Sequence, residues 1–324
     1  MSGDDTHQVL VTQARHEAEG VLSLRLRGDG PLPAWTAGAH VDLVLPSGLV
    51  RQYSLCGETD DPEYTVAVLH DADGRGGSAE IHTSGLVGRR LLIRGPRNRF
   101  ALEPAASYVF VAGGIGVTPL LAMVRHAVGE GTPWQLHLGG RRADTLAFTA
   151  ELRRLAAASG GEVSLRSDDV DGSLPLADIL AAAPAASAVY GCGPPGLLTA
   201  LDEVAARTRP ELPVRFERFA ADPSGGVDDT VSVTGDGGFE VELAGTGETV
   251  PVPVGVSILE AVRTVRPDVM SSCEEGFCGT CETKVLEGTP VHRDTILTER
   301  ERARGTSMMI CVGSCSTARL VLDL

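Results

Sequence analysis

The chain has 324 residues, enough for two or three domains, and a hydrophobic share of 43% supports ordinary packed cores. A formal net charge of −15 argues against nucleic acid and against an anionic membrane surface, and it favours a soluble monomer with room for a basic protein partner. Met1–Gly20 is polar with no apolar signal core, and the best apolar run, Val117–Val128, is broken by Arg125 and His126. A cytoplasmic protein without a membrane segment is expected.

From Val9 to Leu102 short alternating runs (Val9–Thr12, Val21–Leu26, His40–Leu45, Tyr64–Leu69, Leu91–Ile93) are punctuated by Gly and Pro. That rhythm predicts an antiparallel β-barrel over residues 1–103. Two spots stand out. Arg51-Gln52-Tyr53-Ser54 gathers a cation, an aromatic and a hydroxyl on one strand. Gly74-Arg75-Gly76-Gly77-Ser78 allows backbone N–H groups to converge on an anion with Arg75 adding charge, although a plain hairpin turn reads the same way. Together, ahead of a nucleotide-binding pattern, they suggest a flavin phosphate site.

Residues 104–219 read as a doubly wound α/β nucleotide-binding domain. Tyr108–Ala112 is a continuous apolar strand running into Gly113-Gly114-Ile115-Gly116-Val117-Thr118-Pro119 and a helix from Leu120 to Val128, with Thr118 expected to cap it and Pro119 at its first position. A strand, a glycine turn and a helix start together make a pyrophosphate site. Alternation continues with strands near Trp134–Leu138, Val163–Arg166 and Ala188–Tyr190, and helices near Leu146–Ala158, Leu176–Ala182 and Gly196–Arg207. The last of these strands empties into Gly191-Cys192-Gly193-Pro194. Cys192 at a strand's carboxyl end is either a ligand-facing thiol or a small buried apolar residue. Arg141-Arg142 either faces an adenosine or is solvated surface charge, and Asp168-Asp169 either accepts from ribose hydroxyls or forms a turn. Arg215–Phe219 closes the domain, and residues 220–230 have linker composition.

Residues 231–324 read as an α+β ferredoxin-like β-grasp domain. Strands are expected near Thr230–Val233, Phe239–Leu243, Glu248–Val252, Thr283–Leu286, Met308–Ile310 and Arg319–Leu322, and Ser257-Ile258-Leu259-Glu260 is a capping box opening a helix that Pro267 stops. Cys273, Cys278 and Cys281 have C-x4-C-x2-C spacing and are answered downstream by Cys311, the plant-type arrangement for a 2Fe–2S cluster. A four-cysteine zinc site usually pairs two similar short hooks, and here the hooks are unequal. Cys56, Cys192 and Cys315 remain, an odd number that is no disulfide framework; Cys315 is a rival fourth ligand. Glu274 and Glu275 inside the cysteine loop suggest an acidic rim for a basic partner.

These motifs, in this order over nearly the whole chain, resemble the phthalate dioxygenase reductase family, which joins a flavin barrel, an NAD domain and a plant-type ferredoxin. The resemblance implies that Tyr53 and Ser54 lie beside the isoalloxazine, that Arg51 reaches the flavin phosphate and that Arg75, Gly76, Gly77 and Ser78 form a second phosphate loop. It implies that Gly113, Gly114 and Gly116 form the nicotinamide-domain loop with Thr118 near the flavin, that Cys192, Gly193 and Pro194 place a thiol beside the nicotinamide, and that Phe219 covers the flavin ring. It implies FMN rather than FAD. It implies NADH too, although Arg141-Arg142 sets two cations where the 2′-phosphate of NADPH would sit. The expected function is reduction of a terminal oxygenase, either a Rieske non-haem iron enzyme or a haem-thiolate monooxygenase. The alternatives are a flavin reductase or diaphorase serving small acceptors, and a non-enzymatic redox sensor with a structural four-cysteine metal.

Overall fold

The computed structural model describes residues 6–72, 74–219, 238–271, 273–274, 276–277, 279–297 and 299–324. It divides into two compact units, Met1–Phe219 and Ala220–Leu324. The expected linker over 220–230, the strand at Thr230–Val233, and Glu275 and Cys278 lie outside the described residues.

In the first unit, strands β1 (Thr6–Ala18), β2 (Val21–Gly28), β3 (Ala39–Val44), β4 (Val50–Ser54), β5 (Glu63–Leu69) and β6 (Arg90–Asn98) pair antiparallel in the order β4-β3-β6-β1-β2-β5. Alternation decides their faces: Val9 and Val11, Leu24 and Leu26, Val41 and Leu43, and Val66 and Val68 all point into the core. Leu55, just past β4, bridges to Val66 on β5, and Cys56 N–H donates to Thr65 O at 2.9 Å, so the two edge strands meet and the sheet closes as a barrel. One element was not expected. Gly77–Thr83 is a helix, α1, rather than part of a turn.

The α/β half follows: β7 (Ser107–Gly113), α2 (Val117–Gly129), β8 (Trp134–Gly140), α3 (Thr149–Ser159), β9 (Glu162–Ser167), the single turn α4 (Asp168–Asp171), α5 (Leu176–Ala182), β10 (Ser187–Cys192), α6 (Pro195–Thr208) and β11 (Val214–Glu217). All strands are parallel, ordered β11-β10-β7-β8-β9. Strand β7 is buried throughout because it feeds two cores. Tyr108, Phe110 and Ala112 pack with Leu120, Leu121 and Leu152 of α2 and α3, in one apolar cluster that continues into the barrel. Val109 and Val111 face the other way, onto Ile179, Leu180 and Leu201 of α5 and α6. Chain order reverses between β7 and β10, where such sheets take their ligands.

In the second unit β12 (Phe239–Leu243), β13 (Glu248–Val252), β14 (Glu282–Glu287), β16 (Ser307–Met309) and β18 (Arg319–Leu322) form a sheet ordered β13-β12-β18-β14-β16. The β12–β18 pair is parallel and the other pairs are antiparallel. Helix α7 (Ile258–Arg263) covers it with Ile258, Leu259, Ala261 and Val262, and Ser257 caps that helix by accepting Glu260 N–H at 3.1 Å. The short pair β15 (Pro290–Val291) and β17 (Ser314–Cys315) and helix α8 (Glu299–Arg304) complete the unit. This is the β-grasp arrangement. No helix among the described residues is long and apolar enough to cross a membrane.

Candidate functional site

Two loops meet at the switch point between β7 and β10. After β7 the chain turns through Gly113 and a 3₁₀ turn, Gly114–Gly116, into α2. A Cβ on Gly116 would sit 2.2 Å from Cys192 O, and one on Gly193 would sit 2.9 Å from Gly113 Cα. The loops therefore interlock backbone to backbone, at a distance only glycine permits. Thr118 does not cap the helix as expected. Helix α2 begins at Val117, so Thr118 lies inside the first turn and its hydroxyl donates back to Ile115 O at 3.0 Å.

Cys192 ends β10, fully buried, in register with Ala112 on one side and Glu217 on the other. Burial, then the neighbouring Glu217 carboxyl, pushes its thiol well above the ordinary range, so it stays protonated. Glu217 is the residue that sequence reasoning missed. It ends β11 facing the barrel, where Ser54 Oγ donates to Glu217 Oε2 across a long 3.4 Å contact. Burial raises the Glu217 carboxyl from 4.5 to about 8 against the opposing pull of Ser54. Behind Ser54, its ladder partner His40 is 3% exposed, and burial, then Arg97 and Arg99, lowers its pKa to about 3. The imidazole is therefore neutral. Ser54, Cys192 and Glu217 thus converge from both halves of the first unit, with Tyr53 and Phe219 packed half-buried on the same apolar cluster. Burial raises the Tyr53 phenol above its ordinary range.

On the barrel, Arg51 reaches the glycine loop: its Nη2 donates to Arg75 O at 2.7 Å, and a Cβ on Gly77 would strike the Arg51 side chain at 2.6 Å. Gly76 has φ +82°, a left-handed conformation that leads into α1. Ser78 is occupied within the loop, accepting Asp71 N–H at 3.1 Å. Gly193 and Pro194 border the switch point, whereas Arg141 stands exposed beyond β8. Arg142 is engaged by carboxylates at the surface. It pairs with Glu19 at 2.9 Å and with Asp144, while Glu19 N–H donates to Asp144 O at 2.9 Å, so Arg142 ties the barrel to the α/β half.

In the second unit Cys273, Cys281 and Cys311 are 5%, 4% and 7% exposed. Cys311 is within hydrogen-bond reach of the other two. Its bonds to Cys273 and then Cys281 push its thiol up, while Cys281 is drawn down by Cys311. Among the described residues no three ligand-type side chains form a group around a single ion, and Cys278 lies outside them. Gly276 and Gly279 both have positive φ, and a Cβ on Gly276 would strike Val312 at 2.7 Å. Buried thiols gathered on a glycine-turned loop suit an iron–sulfur cluster. Cys315 turns elsewhere, its Sγ 3.0 Å from Thr317 Oγ1 within the β15–β17 pair. Glu274, expected on an acidic rim of the cysteine loop, is paired with Arg263 at 2.8 Å.

Comparison with known proteins places both units. Residues 241–316 match the 2Fe-2S iron-sulfur cluster binding domain, and residues 110–203 match the oxidoreductase NAD-binding domain. The chain is 42% identical over 313 residues to the phenoxybenzoate dioxygenase subunit beta of Ectopseudomonas oleovorans, covering 95% of this chain and 94% of that one. Among solved structures it resembles an intact type IV self-sufficient cytochrome P450 monooxygenase, with 39% identity and a TM-score of 0.84, covering 98% of this chain but only 41% of that longer one. It also resembles phthalate dioxygenase reductase, with 32% identity and a TM-score of 0.72 over 98% of both chains. A barrel, an NAD-binding α/β half and a 2Fe–2S domain in one chain define an electron-transferring oxidoreductase of the oxygenase-reductase class. The chain belongs to the phthalate dioxygenase reductase family.

Proposed function

We propose that this chain takes electrons from NADH through FMN to its 2Fe–2S cluster and delivers them to a separate terminal oxygenase, of the Rieske non-haem iron or haem monooxygenase type. The observation that carries it is the convergence of Ser54, Cys192 and Glu217 beside the interlocked glycine loops, on the same chain as a cysteine loop built for iron. When bound, the nicotinamide supplies hydride, and the flavin and cluster turn that pair into single electrons.

The chain's own residues prepare the site. Arg51 and the turn at Arg75–Gly77 offer a cation and a glycine cradle to a flavin phosphate. Gly113, Gly116 and Gly193 let the two loops pack together, and Gly114, with open space where a Cβ would stand, leaves room for a dinucleotide backbone. Cys192 stays a neutral thiol. Glu217 holds a proton near neutral pH beside the Ser54 hydroxyl, so it presents an uncharged face to a reduced ring. Phe219 is the aromatic that covers that ring and excludes water until nicotinamide arrives. With Arg142 neutralised by Glu19 and Asp144, the 2′-phosphate of NADPH has Arg141 alone, which supports NADH. Cys273, Cys278, Cys281 and Cys311 hold the cluster.

The partner is a protein with a basic docking face, drawn by the acidic balance of a monomeric chain of net charge −15. The six described cysteines stand as thiols rather than disulfides, which fits a cytoplasmic setting. Anaerobic titration of the isolated protein with NADH and, separately, NADPH tests the whole reading. NADH should bleach flavin and cluster bands together, and both bands should return stoichiometrically on adding an oxidised terminal oxygenase. A zinc-loaded, colourless protein, or a cluster band untouched while flavin bleaches, would refute it.

A further inference from the structure

We propose that Arg263 is a positioning residue for the cluster, the fastening by which helix α7 holds the cysteine loop in place and screens it from solvent. The helix is anchored at both ends to ligand segments far apart in sequence. At its start, Leu259 N–H donates to Ile310 O at 2.9 Å, fixing the residue before Cys311. At its end, Arg263 Nη1 donates to Glu274 Oε1 at 2.8 Å and Nη2 donates to Ser271 Oγ. Ser271 Oγ in turn donates to Glu274 Oε1 at 2.8 Å. The triangle therefore straddles Cys273, two residues after Ser271 and one before Glu274.

Two further observations give the triangle a task. Glu274 has φ +55°, a left-handed backbone unusual for a residue with a side chain, and its carboxylate bonds restrain it there. Beside it lies a cavity of about 240 Å³ lined by Ser257, Leu259, Glu260, Arg263, Glu274 and Cys311, so the Arg263–Glu274 pair walls the opening that leads to a cluster ligand. Releasing the pair frees the flanks of Cys273 and widens that opening. Both changes admit water and chelator to the iron.

The test uses the full-length protein as isolated, following decay of the cluster's visible absorbance in excess iron chelator, with the flavin band as internal reference. Arg263→Gln and Glu274→Gln should each lose the cluster roughly fivefold faster than wild type, as expected for one part-exposed ion pair. The double variant should decay no faster than either single, because both cut the same fastening. Glu274→Gly, which relieves the backbone but removes the carboxylate, should match Glu274→Gln. Arg263→Lys should lie between, keeping charge without the two-pronged geometry. Arg266→Gln, which breaks the neighbouring Arg266–Asp268 pair, should decay at the wild-type rate. If Arg263→Gln is isolated without a cluster, Arg263→Lys and Glu274→Gly carry the comparison. Wild-type decay in the singles, or a double variant decaying at the product of the two effects, would overturn the proposal.

Discussion

Replacing Glu217 by glutamine removes a proton site whose affinity folding has raised. The move from 4.5 to about 8 corresponds to a ceiling of about 5 kcal/mol at about 1.4 kcal/mol per unit. Glu217 is closely surrounded but keeps some solvent contact, so screening by water roughly halves that to about 2–3 kcal/mol. Between about pH 4.5 and 8 the folded state keeps a proton that the unfolded chain has released. Wild-type stability therefore falls as pH rises through this window and levels off above it. An uncharged amide does not titrate, so the Glu217→Gln variant should equal wild type near the bottom of the window and exceed it at the top. For a unit of this size the gain is roughly 5–10 °C in Tm. The assay is convenient because both tryptophans, Trp35 and Trp134, lie in the first unit, so their fluorescence reports its unfolding alone. A constant gap between variant and wild type from about pH 5 to about pH 9, or a wild type that gains stability with rising pH, would refute the buried-carboxyl argument.

Cys311→Ser should strip or badly destabilise the cluster, whereas Cys315→Ser should retain iron and sulfide at wild-type stoichiometry, because serine can keep the bond to Thr317; the opposite pattern in metal analysis would reverse the assignment. Gly116→Ala forces a Cβ into the Cys192 carbonyl, so the loops must part. Flavin content should stay near normal while KM for NADH rises roughly tenfold or more, and an unchanged KM would show that the interlock does not shape the nicotinamide site.

The parts legible in the sequence were those whose signal is local. Strand alternation places Val9, Val11, Val41 and Leu43 in a barrel core, an unbroken apolar run marks β7, and cysteine spacing marks the metal loop. What escaped depends on register and on competition between local partners. Nothing around Glu217 marks it, because its importance comes from pairing with Cys192 across β10–β11 and from Ser54 reaching over from another fold. Gly76-Gly77-Ser78 reads as a turn, yet Ile81 supplies enough burial to hold the helix that follows. Thr118 has the chemistry of a cap, but the 3₁₀ turn before it starts the helix two residues early, at Val117, and aims its hydroxyl backward. Adjacent arginines at 141 and 142 look alike in sequence, and the carboxylates of Glu19 and Asp144 beside Arg142 separate their fates.

The apolar cluster that runs from the barrel into one face of the parallel sheet bears on how such chains are assembled over evolution. Val9, Leu43, Phe110, Leu120 and Cys192 belong to one continuous interior, while Val241, Ile258 and Leu322 belong to another. A barrel expressed without its α/β half would expose the part of this interior that it contributes, including the approach of Met123 to Gly38, and would be prone to aggregation. The heritable module in this architecture is therefore Met1–Phe219 as a whole. The cysteine-bearing piece is built around a core of its own, so each unit has the interior that an inherited module needs to fold.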